Sequence, residues 1–188
     1  MSRGEIPERR WWGAAGAALL AIYASLYPAQ LVLDWLRARN LLRWSLAGTA
    51  AAVALVVAAG MLRRRAGWRE WVVLGLVALV YGDYAAGMTI VQERFHLLEY
   101  GVVALLFREA LAARWRDRRP RALAVDLGAI GFATAGGWVD ELIQWALPNR
   151  HYDIRDVATN AVAATLAITA AAVLAAARDD AAAGERAA

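Results

Sequence analysis

The sequence predicts an all-α fold, a polytopic transmembrane helical bundle of about six spans. Three observations lead to this prediction. Of the 188 residues, 61% are hydrophobic, which is more than a soluble domain usually contains. The apolar residues are concentrated in six runs, each close to the 20 or so residues that a helix needs to cross a bilayer. Most charged residues fall between the runs, and the length allows one domain.

The predicted spans follow the apolar runs in order. They are Trp11–Leu33, Trp44–Leu62, Trp71–Val91, Glu93–Ala113, Leu123–Ala146 and Val157–Ala177. The first run is longer than the apolar region of a signal peptide and ends in no small-residue cleavage site, so we expect a retained anchor. The fourth run is the least apolar, because Arg108 and Glu109 follow its short apolar part. A re-entrant segment is the alternative for this run.

The arginines predict the orientation of the spans. All 21 basic residues are arginines, and with the N-terminus in the cytoplasm 15 of them face that side and 6 face outward. This asymmetry predicts a multi-pass protein of a bacterial plasma membrane with both termini cytoplasmic. Residues 1–10 would form an N-terminal tail, and residues 178–188 a disordered C-terminal tail. The net charge of +4 is spread over short loops, so we expect membrane lipids and no nucleic acid as partners.

Polar side chains are concentrated where spans four, five and six meet the predicted outer surface. The set comprises Glu93, His96, Glu99, Tyr100, Asp140, Glu141, Gln144, Arg150, Asp153, Asp156 and Asn160. Spacings of three and four put its members on common helix faces. Asp153 or Asp156 can simply cap span six, and Arg150 can neutralise an acid. Polar groups in hydrocarbon are costly, however, and the convergence of imidazole, carboxylate and amide groups from three helices predicts a functional cluster.

These residues resemble the VanZ-like family of small bacterial membrane proteins. The similarity consists of an H-x-x-x-Y element, His96 to Tyr100, and an E-x-x-Q element, Glu141 to Gln144, followed by Arg150, Asp156 and Asn160. The similarity covers residues 92–174. The domain as a whole would extend over residues 11–177, with an added hairpin in residues 11–62. The resemblance implies a protein of the cell envelope. The founding member of the family is associated with low-level resistance to the glycopeptide teicoplanin, and no established reaction comes with the family.

Three functions remain open at this point. The first is binding or modification of a lipid-linked or glycopeptide-like ligand at an extracytoplasmic polar pocket, with an effect on teicoplanin sensitivity. The second is an intramembrane acid/base enzyme, a hydrolase or transferase, with His96 as general acid or base and Glu99 or Glu141 as its partner. Asn160 or Gln144 would polarise a substrate oxygen. The third is a small-solute or proton-coupled transporter with Asp83 on its path.

No cofactor is expected from the sequence. The chain has no Cys, which excludes disulfides and thiolate metal sites. A metal-dependent version of the enzyme would use His96, Glu141 and Asp156 as nitrogen and oxygen ligands. A single His is few for zinc, and this oxygen-rich set would suit a harder ion better.

Overall fold

The computed structural model describes residues 6–88, 94–116, 122–148 and 152–187. The described chain consists of six helices joined by short connections: α1 (Glu8–Ala38), α2 (Leu42–Arg63), α3 (Trp68–Gly87), α4 (Arg94–Arg114), α5 (Ala122–Ala146) and α6 (Ile154–Ala187). The all-α prediction is therefore confirmed. Within the described ranges, five helices are long and apolar enough to cross a membrane, as expected for a multi-pass membrane protein.

The helix α4 is the exception. It forms a continuous helix of 21 residues, as predicted, but it is absent from the set of five apolar helices in the described chain. Its ends explain the difference, because His96 and Glu99 lie in its first turns and Arg108 and Glu109 near its last. Eight of its residues are nevertheless buried, among them Tyr100 and Phe107. The helix α4 is thus held by packing on neighbouring helices rather than by its apolarity.

Two helices end in the left-handed turn that closes many helices. Asn40 follows α1 with φ of 57°, and Arg65 follows α2 with φ of 56°. The next residue in each case donates its backbone N–H five residues back, from Leu41 to Leu36 O at 2.9 Å and from Ala66 to Met61 O at 2.9 Å. These bonds satisfy carbonyls that the helix end would otherwise leave unpaired.

The chain forms two compact units. Unit 1 comprises Met1–Ala29 with His96–Ile168, and unit 2 comprises Gln30–Phe95 with Thr169–Ala188. The helices α1 and α6 therefore contribute residues to both units. The predicted domain over residues 11–177, with an added hairpin in residues 11–62, stays a prediction. The first part of α1 belongs with α4 and α5, because its apolar face is buried against theirs.

The core of unit 1 is built from small and medium-sized apolar residues of α1, α4, α5 and α6. It contains Ala15, Ile22, Val103, Ala104, Phe107, Leu111, Val125, Ala129, Ala133, Ala164 and Ile168. Glycine allows the closest approach of α1 to α5, since a Cβ on Gly136 would lie 2.8 Å from Leu19 Cδ2. Small residues at helix contacts are the usual means of close packing in membranes.

Unit 2 contains one buried acid among its described residues. Glu70 accepts hydrogen bonds from Arg64 and, at 2.9 Å, from Arg178 Nε, and Glu70 Oε2 accepts one from the Gly67 N–H at 3.0 Å. Asp83, the acid of the transport hypothesis, is exposed on α3.

The C-terminal segment differs from its prediction. The helix α6 continues to Ala187, so the expected disordered tail from Arg178 is helical in the structure. The reason is composition, because this segment is rich in Ala, the residue with the highest helix propensity.

Candidate functional site

Two neighbouring carboxylates near the end of α5 form the centre of the site. Asp140 and Glu141 are both fully buried, and Gln144 one turn later is nearly so. Consecutive residues on a helix point about 100° apart, so the two acids contact different neighbours. Asp140 faces α4, and Glu141 faces the start of α6.

Asp140 is held by the first turns of α4. The Tyr100 hydroxyl donates to Asp140 Oδ2 at 3.0 Å, and Tyr100 is fully buried. His96 Nδ1 lies 3.9 Å from Asp140 Oδ2 and 3.8 Å from Glu99 Oε2. These two distances are too long for direct hydrogen bonds but short enough for strong electrostatic coupling. The His96 and Tyr100 rings stack with centroids 6.0 Å apart, which fixes the imidazole over the phenol.

The exposure of three neighbouring side chains decreases from Glu99 through His96 to Asp140. The Glu99 side chain is 38% exposed, the His96 side chain 14%, and the Asp140 side chain 0%. An imidazole therefore separates an accessible carboxylate from a buried one. His96 thus lies between two carboxylates of different exposure, within 4 Å of each.

Tyr23 of α1 belongs to the same layer, and sequence analysis missed it. Its hydroxyl donates to the Gly136 carbonyl at 2.8 Å, and the Tyr100 hydroxyl lies 3.5 Å from the same oxygen. The single Tyr100 proton is directed to Asp140 at the shorter distance, so the full hydrogen bond to the Gly136 carbonyl is that of Tyr23. Tyr23 is one of three hydroxyl residues in this apolar run, with Ser25 and Tyr27, and nothing in the spacing of α1 indicates which of them meets another helix.

Glu141 is held by α5 and by the segment that opens α6. Glu141 Oε1 accepts from Gln144 Nε2 at 3.0 Å, and Glu141 Oε2 accepts from the Asp153 backbone N–H at 3.0 Å. Asp153 Oδ1 in turn accepts from the Arg155 N–H at 2.8 Å. This is the hydrogen bond of an N-cap, so the predicted capping role is confirmed for Asp153.

Asn160 lies at the contact of α5 and α6. It is fully buried, and neither its Oδ1 nor its Nδ2 has a hydrogen-bond partner among the residues the structure describes. It packs directly on Gly137, where an added Cβ would lie 2.5 Å from Asn160 Nδ2. Buried amides are normally paired, and an unpaired one in a native structure requires an explanation.

The structure brings most of the predicted cluster together in unit 1. The members with contacts described above are His96, Glu99, Tyr100, Asp140, Glu141, Gln144, Asp153 and Asn160. Asp156 is half-buried in the first turn of α6. Glu93 and Arg150 lie outside the described residues.

The metal hypothesis finds no support in the described part of the chain. No group of three His, Asp or Glu side chains there is arranged to hold a metal ion, so His96, Glu141 and Asp156 are not gathered as ligands. The chemistry that the arrangement offers is acid–base chemistry at His96 and Asp140 and hydrogen bonding by the Asn160 amide.

Comparison with known proteins gives no family assignment. No protein-family model, no curated protein and no solved structure matches the chain. The function must therefore be argued from the site itself.

Proposed function

We propose that the chain is a VanZ-like membrane protein of the bacterial cell envelope that binds the polar head of a lipid-linked or glycopeptide-like ligand at the cluster around Asp140, Glu141 and Asn160. Three of the residues that carry the family resemblance, Tyr100, Glu141 and Gln144, are buried and hydrogen-bonded within this cluster. These residues of the resemblance therefore contribute to the polar layer of unit 1.

The observation that carries the proposal is the Asn160 amide, which has no hydrogen-bond partner among the residues that the structure describes. An amide offers two donors and an acceptor, and leaving such a group buried without partners costs about 1–3 kcal/mol. Peptide and sugar head groups present the complementary carbonyl, amide and hydroxyl groups. A ligand that supplied them would recover this cost, which explains why a polar side chain occupies a fully covered position.

Binding at Asn160 requires a local movement. The amide is covered by α5 at Gly137, so a head group reaches it only when α5 and α6 separate there. Among the described residues, Glu141 accepts the backbone N–H of Asp153, the residue that precedes α6. One such bond in a membrane protein is worth about 1 kcal/mol, and separation also breaks apolar contacts that the two helices make in the core of unit 1.

The test is protection of a teicoplanin-susceptible bacterium that expresses the chain. We expect the unmodified chain to raise the inhibitory concentration and Asn160→Leu to abolish the effect, because Leu branches at the same carbon but forms no hydrogen bonds. Thr165→Val is the matched control. Thr165 is an exposed polar residue of the same helix that bonds only to its own helix, at Ala161 O.

Two results would contradict the proposal. One is an unmodified chain that inserts and accumulates but leaves teicoplanin sensitivity unchanged. The other is equal protection by Asn160→Leu and Thr165→Val at equal abundance.

We further propose that both termini are cytoplasmic and the cluster lies at the outer surface of the plasma membrane, as the arginine asymmetry predicts. The absence of Cys makes this testable. Single cysteines replacing Pro148, just after α5, and Arg116, just after α4, are treated with a membrane-impermeant thiol reagent on intact cells. Labelling at position 148 alone is expected, and labelling at position 116 alone would reverse the orientation.

A second candidate function is favoured by the position of His96. An imidazole between an accessible and a buried carboxylate is suited to general acid/base catalysis on an envelope lipid. The assay follows cleavage or transfer of a radiolabelled undecaprenyl-linked precursor by the purified chain. His96→Gln, which removes the general acid or base, should lower the rate of cleavage or transfer about 100-fold or more. Thr165→Val should leave this rate unchanged. No turnover by the unmodified chain, or full activity of His96→Gln, would exclude catalysis by this group.

A further inference from the structure

A groove lies in unit 1 at the end of α4 and α5 opposite to the polar cluster. Its volume is about 460 Å³, within the range of small-molecule sites. It is lined by Trp12, Leu111, Arg114, Trp115, Gly128 and Phe132. Five of these six residues are apolar or glycine, and the sixth is a cation, so the groove has apolar walls and one charged residue.

The walls of the groove are fixed by aromatic contacts. Trp12 meets Phe132 edge-on with ring centroids 5.6 Å apart, and it meets Phe107 in the same way at 5.8 Å. Phe107 and Phe132 stack at 5.2 Å. Such pairs hold their rings in defined orientations, so the groove does not depend on a mobile side chain for its shape.

The lining residues of the groove on α5, Gly128 and Phe132, lie in the first half of that helix. Phe132 lies about 15 Å along α5 from its first residue, Ala122, at 1.5 Å per residue. The hydrocarbon core of a bilayer is about 30 Å thick, so one leaflet accounts for about half of it. An acyl chain that entered at the end of α5 would therefore end near Phe132.

Gly128 keeps the groove open along α5. The nearest atom to a Cβ at this position would be Leu111 Cδ1, at 3.0 Å. A larger side chain would project into the space between α4 and α5. Gly131, on the same helix, has no atom within 4 Å of an added Cβ and does not line the groove, which makes it a matched control.

The charged end of the groove is suited to an anion. The Arg114 side chain is 60% exposed and pairs with Glu8 Oε1 at 3.3 Å. Exposed pairs of this kind are weak, so a phosphate can compete for the guanidinium. Arg9 and Arg10 are exposed beside Glu8 on α1 and add positive charge at the same end. Arginines beside a membrane helix attract anionic lipid head groups.

We propose that this groove binds one acyl chain of an anionic phospholipid whose phosphate contacts Arg114. The site is at the other end of unit 1 from the polar cluster and does not depend on the function proposed there. Its ligand is a bilayer lipid recognised by charge and chain, whereas the cluster is proposed to bind a polar head group.

The experiment uses the purified full chain in vesicles of equimolar phosphatidylglycerol and phosphatidylcholine, followed by mild extraction and native mass spectrometry. The unmodified chain should retain one phosphatidylglycerol with about a fivefold preference over phosphatidylcholine, the effect expected of one arginine near an anion. Arg114→Gln should reduce the preference to below about twofold, because Arg9 and Arg10 still attract anionic lipid but do not line the groove, and Glu8→Gln should increase it. Gly128→Leu should retain about a tenth as much lipid as Gly131→Leu, because its side chain occupies the groove.

Three results would overturn the proposal. They are equal retention of the two lipids by the unmodified chain, an unchanged preference in Arg114→Gln, and equal retention by the folded Gly128→Leu and Gly131→Leu variants. Arg114 is exposed, so its variant decides the question even if Gly128→Leu fails to fold. Asn160→Leu should retain the lipid normally, which separates this site from the polar cluster.

Discussion

Gly137→Ala is the most direct test of how α5 and α6 pack at the site. The added Cβ would lie 2.5 Å from Asn160 Nδ2, 2.8 Å from its Cβ and 3.0 Å from its Cγ. A flexible side-chain end could rotate away, but the Asn160 Cβ is fixed to the backbone of α6. The helices must therefore move apart by several tenths of an ångström. Overpacking of this kind costs about 1–3 kcal/mol.

Gly131→Ala provides the reference for that cost. It adds the same methyl group to the same helix with no atom within 4 Å, so only helix propensity changes, and Ala is favoured over Gly by about 1 kcal/mol. Both variants gain this propensity, so they should differ by the overpacking cost alone, about 1–3 kcal/mol in the free energy of unfolding. The measurement is reversible unfolding in mixed micelles, followed by circular dichroism. Equal stabilities would refute the close contact of Gly137 with Asn160.

Two further predictions concern buried hydrogen bonds. Tyr100→Phe removes the donor to Asp140 and should lower the free energy of unfolding by about 1–2 kcal/mol in the same assay, and a loss below about 0.5 kcal/mol would contradict the importance of this bond. Glu70→Gln places an amide N–H against the donors that now bond to the Glu70 carboxylate, and it should lower the free energy of unfolding by about 1–3 kcal/mol. Asp34→Asn weakens the exposed pair with Arg37 and should lower it by less than about 1 kcal/mol. Similar losses in these two variants would show that burial of Glu70 contributes nothing.

The helices could be predicted from the sequence because their signals are local. Apolar runs of sufficient length, interrupted by arginines and by Pro148, define where helices begin and end. The first span is longer in the structure, Glu8–Ala38 against the predicted Trp11–Leu33, since polar residues at a helix end extend it without adding to its apolarity. The helix α4 shows the limit of hydropathy, because the charged and polar residues near its two ends lower the apolar signal of a helix that packing supports.

The partners of each helix could not be predicted in the same way. Spacing shows that Asp140, Glu141 and Gln144 share one end of α5, and the structure agrees. It does not show that Asp140 and Glu141 have different neighbours, or that Tyr23 of α1 joins the layer through the Gly136 carbonyl. Those contacts join residues far apart in the chain, and periodicity specifies a helix face but not what covers it.

Whether the Asn160 amide serves the fold can be decided from its energetics. An amide buried without a partner among the described residues costs about 1–3 kcal/mol relative to a paired one, whereas an apolar side chain at the same position would have no such cost. Asn160→Leu should therefore unfold at no lower free energy than the unmodified chain, despite the tight contact with Gly137, because the removed penalty offsets some overpacking. A loss of more than about 2 kcal/mol would mean that the amide stabilises the helix packing. The opposite outcome is an Asn160→Leu variant that keeps its stability but no longer protects against teicoplanin. It would show that Asn160 serves recognition and not folding, as expected where a protein gives up stability for function.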